Sequence, residues 1–234
     1  MSMRRALART LTIAVGTASL ILGAVAFART PTGGAIAHGL VRMAHGGCPF
    51  GYDQAMSPAQ RERARAHFAA NHRGDRRALD RPALGFALDQ TTRAQVQASM
   101  SAQGVQCSAG HGMSDLTCVN VPSSALPGAP PRAPERTLWF TFGSKDQLLS
   151  VVAVSSDASA QTISSAFVST QNTLSEQAGA ATSSTGSADS HSLSQGLLRQ
   201  ASAEFRFKDY YALERAANMG NAYLLTEEYR SLPD

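Results

Sequence analysis

The sequence predicts an α+β domain: an antiparallel sheet built from hairpins with two helices packed on one face, preceded by a signal peptide and a separate Arg-rich helix. Three observations lead there. From residue 82 onward, stretches that alternate apolar and polar residues run in pairs, as "RTLWFTF" and "QLLSVVAVS" do on either side of "GSKD". Helical stretches stand singly among them, which gives the order helix, four strands, helix, then two or three strands; a parallel nucleotide-binding sheet would alternate strand and helix throughout. Aromatic residues make up only 6% of the chain while Ala, Ser and Gly abound, so the core is expected to be modest and the domain few-layered.

Residues 1–28 read as an export signal. Arg4, Arg5 and Arg9 give a basic start, "LTIAVGTASLILGAVAFA" is an apolar run, and Ala26-Phe27-Ala28 is a small-x-small cleavage site. The run is at the short end for a core of about 30 Å, so cleavage after Ala28 is expected over retention as an anchor. No later apolar stretch is long enough to span, so no transmembrane segment is expected after cleavage. Loss of the three leader arginines lowers the formal net charge from +4 to about +1, and the basic isoelectric point is then no argument for nucleic acid. What remains is an asymmetry. Residues 29–81 are rich in arginine and residues 82–234 carry an excess of acids, so one half can attract the other, or the basic half can attract an acidic partner or membrane surface.

Residues 29–56 are rich in Gly, His and small side chains without a sustained period, and read as a flexible segment. In "MSPAQRERARAHFAANHRG" Ser57 is an N-cap, Pro58 occupies the first helical position, Gln60 completes a capping box, and Gly74 stands where a C-terminal cap belongs. Its apolar stripe is thin, with Phe68 the one large residue, so residues 57–81 are expected to be a solvated helix and linker. Pro82 disfavours helix at Arg81 and sets the expected start of the domain, 82–234. Thr91 or Thr92 can cap a helix with Val96 and Met100 on one face, ended by Gly104 in the left-handed region. "VQCS" and "LTCVNV" read as an irregular hairpin, followed by the proline-rich loop "PSSALPGAPPRAPE". In "RTLWFTF", Leu138, Phe140 and Phe142 alternate with Trp139 and Thr141, which points one apolar row at a core. Residues 157–178 have helical spacing at Ile163, Phe167 and Leu174, with Asp157 available as a cap. Residues 178–196 read as a flexible Ser/Gly/Ala insertion, too poor in apolar surface to offset ordering entropy. "SAEFRFKDYYALERAAN" and "AYLLTEEYRS" form a hairpin around "NMGN", with Phe205 and Phe207 facing one way; Tyr210 to Ala217 also fits a helix. No internal repeat of solenoid period is visible.

The run "GFALDQTTRAQVQASM", followed by "LWFTF" and "LLSVVAV", resembles the SmpA/OmlA-type exported envelope domain over residues 85–155: a glycine, a threonine cap and an x-Gln-Val helix before a meander of strands. The chain departs from that pattern in lacking a lipobox and in adding an Arg-rich N-terminal helix and a C-terminal hairpin. The resemblance implies an envelope scaffold or assembly accessory and brings no catalytic residues with it.

Three cysteines remain to be placed. Cys107 and Cys118 sit on the two arms of the first hairpin at a spacing suited to a disulfide, in the oxidising compartment that export implies. Cys48 is left over. In "AHGGCPFGYD" it lies near His45, and with His38 it offers two imidazoles and a thiolate, a zinc-compatible set whose spacing matches no finger or knuckle. The chain contains no G-x-S-x-G elbow, phosphate loop, H-E-x-x-H or dinucleotide fingerprint. Glu227 and Glu228, adjacent on a strand, face opposite sides and read as the charges of an edge strand. The expectation is therefore an exported, non-enzymatic protein, periplasmic or extracellular, that needs no cofactor and binds a protein or envelope surface. Arg61 and Arg65 on the basic helix and Tyr210, Tyr211, Tyr223 and Tyr229 are its candidate binding residues. The alternatives are a secreted thiol- or metal-dependent enzyme using Cys48 with His45 or His38, and a basic helix that merely clasps its own acidic domain.

Overall fold

Each helix starts where a side chain can take up backbone N–H groups that the first turn leaves without partners. The computed structural model describes residues 57–110, 115–126 and 134–233; the leader, the 29–56 segment and its histidines and Cys48 lie outside them. Helix α1 (Pro58–His72) begins with a reciprocal box, in which Ser57 N donates to Gln60 Oε1 (2.8 Å) and Gln60 N donates to Ser57 Oγ (3.3 Å). Helix α2 (Arg93–Ala102) repeats the device with Thr92 and Gln95, and its Val96 and Met100 are wholly buried. Helix α3 (Ala160–Gln177) is capped by Ser159, whose hydroxyl accepts from Thr162 N, while Asp157 instead accepts from Ser159 N at 2.7 Å. It buries Ile163, Phe167 and Leu174.

Eight strands form one antiparallel sheet: β1 (Cys107–Ala109), β2 (Leu116–Val121), β3 (Arg136–Phe142), β4 (Leu148–Asp157), β5 (Ser183–Thr185), β6 (Gln200–Arg206), β7 (Tyr210–Asn218) and β8 (Tyr223–Ser231). Their spatial order is β1-β2-β3-β4-β8-β7-β6-β5. The order is a palindrome. A helix followed by a four-stranded meander occurs twice, as α2 with β1–β4 and as α3 with β5–β8, and the last strands of the two meanders pair to close the sheet. The long alternating run after residue 200 breaks at Phe207–Asp209 into two strands, so Tyr210–Ala217 is strand and not helix.

Four expectations change. Residues 178–196 hold β5 and the short helix α4 (Ser190–Ser194): Thr182 N donates to Glu204 O at 2.7 Å, Asp189 accepts from Ser192 N, and Leu193 is wholly buried, so pairing and one anchor supply what composition lacked. Gly74 does not cap α1, which ends at Arg73 in extended backbone; its N–H donates to Phe207 O, and a β-carbon there would lie 2.2 Å from the carbonyl oxygen of Arg206. Close approach to the sheet is what requires glycine at that position. Strand β8 is central, between β4 and β7, so Glu227 and Glu228 do not guard an edge. Helix α1 is not a separate spacer, because it belongs to the same compact unit as the sheet.

One face of the sheet holds the core. Leu138, Phe140, Val151, Ala153, Leu225, Ala212, Ala203 and Phe205 pack there against the buried residues of α2, α3 and α4. At the sheet's edge Cys107 stands opposite Cys118 in the β1–β2 register, and the two are joined in a disulfide. A three-residue edge strand has few contacts of its own, so the bond carries much of its attachment. Replacing both cysteines by serine is expected to cost about 3 kcal/mol by the chain-entropy relation, read as a lower urea midpoint at unchanged slope.

Candidate functional site

The sheet's second face follows from simple alternation. Thr137, Trp139 and Thr141 on β3 point away from the core, as do Val152 and Val154 on β4, Thr226 and Glu228 on β8 and Leu213 and Arg215 on β7. Register lines them into transverse rows: Trp139, Val152, Glu228 and Leu213 are successive partners, and Thr137, Val154, Thr226 and Arg215 form the next row. Trp139, Val152 and Val154 are half-buried. Helices α2, α3 and α4 all bury their side chains on the opposite face.

Helix α1 lies across one end of this second face. Phe68 packs its ring edge-to-face with Tyr211 (5.0 Å) and stacks on His72 (4.1 Å), and the Arg230 guanidinium sits over it at 4.4 Å. Tyr211 and Arg230 are themselves paired across β7 and β8. Ala69, Tyr211 and Leu232 complete a small apolar cluster distinct from the main core. At its start, α1 sends Arg61 to Asp115 (2.9 Å), whose other carboxylate oxygen accepts from Phe142 N. Arg65 reaches Asp89 (3.9 Å) and donates to Ser231 Oγ (3.4 Å). The two arginines expected to meet an external acidic surface thus face the chain's own acids, which is the clasp arrangement. Such partly solvated pairs contribute about 0.2–1 kcal/mol each, so the apolar contact of Phe68 is the larger part of the attachment.

The tyrosines expected to form a binding surface do not do so as a group. Tyr210 is wholly buried and its hydroxyl donates to Pro82 O at 2.6 Å. Tyr229 is buried on the core face and donates to Glu227 Oε1 (3.2 Å). Burial pushes both phenols well above the ordinary tyrosine value. Tyr211 is buried beneath α1, and only Tyr223 is half-exposed, donating to Ser194 Oγ. Strand parity is the reason: Tyr210 and Tyr229 fall on core-facing positions, and the helix thought to be a spacer covers Tyr211. Trp139, Val152 and Val154, which lie in strands already legible in the sequence, are the residues left on the open face.

Inside the core face is a polar cluster of an unusual kind. Arg136 on β3 is wholly buried; its Nε donates to Glu227 Oε2 (2.9 Å) and its Nη1 to Ser123 Oγ (3.1 Å). Glu227 Oε1 also accepts from Thr170 Oγ1 on α3 (3.1 Å). Glu214, directly across from Glu227 on β7, is buried with neither carboxyl oxygen hydrogen-bonded, and Arg136 Nη2 and Ser155 Oγ are likewise without partners. Burial, reinforced by the neighbouring Glu227, raises the Glu214 carboxyl well above its ordinary value and so favours its protonated form. The cluster is sealed from solvent and ties β3, β8 and α3 together. Among the described residues no group of His, Cys, Asp or Glu is placed to hold a metal ion, and no helix is long and apolar enough to cross a membrane. The proposed ligands His38, His45 and Cys48 lie outside those residues. No family model, curated protein or solved structure matches the chain.

Two outcomes follow for the buried charges. Glu227→Gln strands a buried guanidinium and is expected to cost about 3–5 kcal/mol, whereas exchanging Arg136 and Glu227 together for methionine costs far less; a double-mutant cycle in denaturant reads the difference. Glu214 has its folded-state value raised, so the unfolded chain releases this proton first. Its contribution is fully present below the ordinary value of 4.5 and declines as pH rises above it. Glu214→Gln should therefore stabilise the protein at pH 7 relative to the parent and flatten its loss of stability between pH 5 and 7, measured by urea midpoints across that range.

Proposed function

We propose that the protein is an exported, non-enzymatic binding or assembly module that grips a protein partner across the open face of its sheet. The observation that carries this reading is the row of half-buried Trp139 and Val152, with Val154 beside it, at the middle of an eight-stranded sheet whose helices α2–α4 all pack on the other side. A large aromatic set among aliphatic residues and rimmed by polar groups is the composition of an interface centre. The rim mixes Glu228, which pairs with Arg230, with Arg215 and a series of threonines. Both signs of charge are interleaved, which suits a protein surface and offers no continuous positive stripe for a polyanion.

The resemblance of residues 85–155 to the SmpA/OmlA-type domain points to the same class of role, an envelope scaffold or assembly accessory. The disulfide and the leader-like first 28 residues are compatible with a periplasmic or extracellular address. Nothing in the Arg136–Glu227 cluster calls for chemistry on a substrate, since Arg136, Glu214 and Glu227 are sealed in the core.

A photoreactive residue introduced at Val152 or Thr226, in the exporting cell, is expected to form one discrete protein adduct, while the same residue at Glu176 on the exposed side of α3 forms none. Trp139→Ala should weaken the adducted complex by about 2 kcal/mol or more, with the melting temperature of the free protein nearly unchanged. Equal labelling from all three positions, or recovery of the chain from the cytosol with its leader intact, would overturn the proposal.

A further inference from the structure

Between α3 and the β5 edge of the sheet a cleft of about 330 Å³ opens, at the lower end of the range for small-molecule sites. Ser164, Phe167, Val168 and Gln171 line one wall, because offsets of three, four and seven recur on one side of a helix. The facing wall is β5 with the loop that runs on to Asp189, and the buried Ala201 of β6 is the base. None of the lining residues is basic, and Asp189 is the single acid.

Three polar side chains in these walls, Ser164, Gln171 and Ser184, make no hydrogen bond among the described residues. Ser164 is only 8% exposed, yet its oxygen is not one of the atoms sealed from solvent without a partner, so the cleft is its route to one. A helical hydroxyl at such a position can return to the carbonyl four residues back, as Thr173 does to Ser169 O at 3.0 Å. Ser164 does not. Ser184 stands opposite the buried Ala203 in register, which puts it on the face that α3 covers. Asp189 accepts from Ser187 Oγ and from Ser192 N (2.8 Å), and these bonds hold its carboxyl below the ordinary carboxylate range, so it is an acceptor only. Between Ser164 and Gln171 on the helix, Val168 leaves 45% of its surface exposed, with Phe167 beside it. The α3 wall is thus an apolar strip with a hydrogen-bonding group at either end.

We propose that this cleft binds a neutral sugar ring, its C–H face against Val168 and Phe167 and its hydroxyls on Ser164, Gln171 and Ser184. Hydroxyls and an amide both donate and accept, which is what the hydroxyls of a sugar require of their partners. An anion finds no cation among the lining residues and meets Asp189 instead. An ammonium is served by Asp189 but has no use for the N–H donors of Gln171. A wholly apolar ligand would take the three unpaired groups out of water without giving them partners. The cleft lies on the helix-bearing side of the sheet, so its test does not depend on the open face or on the partner proposed there.

The full chain is titrated with the methyl glycosides of glucose, galactose and N-acetylglucosamine, following the Gln171 side-chain amide and the Ser184 backbone amide by heteronuclear NMR. Saturable movement of both resonances with at least one glycoside is the expected result. Polyols stabilise proteins generally through exclusion from their surfaces, so glycerol is the control and should saturate neither resonance. Ser164→Ala takes a hydrogen bond from the ligand and none from the protein. Binding should weaken about three- to tenfold while the melting temperature of the free protein holds or rises. Gln171→Ala, at a half-exposed helical position, should weaken binding by a similar factor. Absence of saturation with all three glycosides, saturation by glycerol at the same concentrations, or undiminished binding in either variant would overturn the site. So would a lower melting temperature in free Ser164→Ala, which would show that the hydroxyl is already bonded within the protein. Saturation by methylammonium chloride at lower concentration than by any glycoside would overturn the assignment of ligand class.

Discussion

The pairing of β4 with β8 is the constraint on which the rest of this fold depends. Each half of the chain supplies a helix and a four-stranded meander, and the halves become one sheet only through that seam. Backbone ladders alone specify register weakly, because a slip of two residues preserves both the hydrogen bonds and the facing of every side chain. The Arg136–Glu227 pair removes that freedom. Arg136 stands on β3 and Glu227 on β8, so the contact passes over the intervening strand β4, where the small residues Ala153 and Ser155 are the register partners of Glu227 and Arg136. A slipped seam would separate two buried charges at a cost far above the loss of a ladder bond. Ordinary apolar packing could make the sheet as stable, but it would not discriminate between registers as sharply.

Much of this was legible in the sequence, and what was not has a common cause. Ser57, Thr92 and Gly104 announced helix ends because capping is a short-range matter settled within four residues. The alternation in β3 announced its two faces, and the Cys107–Cys118 spacing announced the edge disulfide. The partners of each strand were hidden. Without knowing that β8 sits between β4 and β7, Glu227 looked like an edge charge, and Tyr210 and Tyr229 looked like surface aromatics. Residues 178–196 failed in the same way: Ser, Gly and Ala give no local sign of structure, and β5 exists because β6 is there to receive it. Gly74 was correctly singled out for the wrong reason, since a glycine admitting a neighbouring strand's carbonyl is indistinguishable in sequence from one that caps a helix.

Helix α1 shows how a thin apolar stripe can still fasten an element. Only Phe68 and Ala69 engage the sheet as apolar residues, but Phe68 lies between Tyr211 and the Arg230 guanidinium, and so contacts side chains from two adjacent strands at once. Its arginines then find Asp115 and Asp89 at the margins, which explains the charge asymmetry between the basic and acidic parts of the chain without any external acid. Because each contact is individually small, the helix is held by their sum.

That placement decides how the two surfaces of the molecule differ. The face turned toward α2, α3 and α4 holds its charged groups Arg136, Glu214 and Glu227 within the core, away from solvent. The opposite face is covered at one end by α1, while toward its centre Trp139 and its aliphatic neighbours keep partial access to solvent. A sheet that needed the second face only for solubility would carry charge or short polar groups at Trp139 and Val152 too, as it does at Arg215 and Glu228. An indole there contributes little to a core that lies on the other side. Its placement costs solubility without adding to the main core, and contact with another surface is what would make that cost worthwhile.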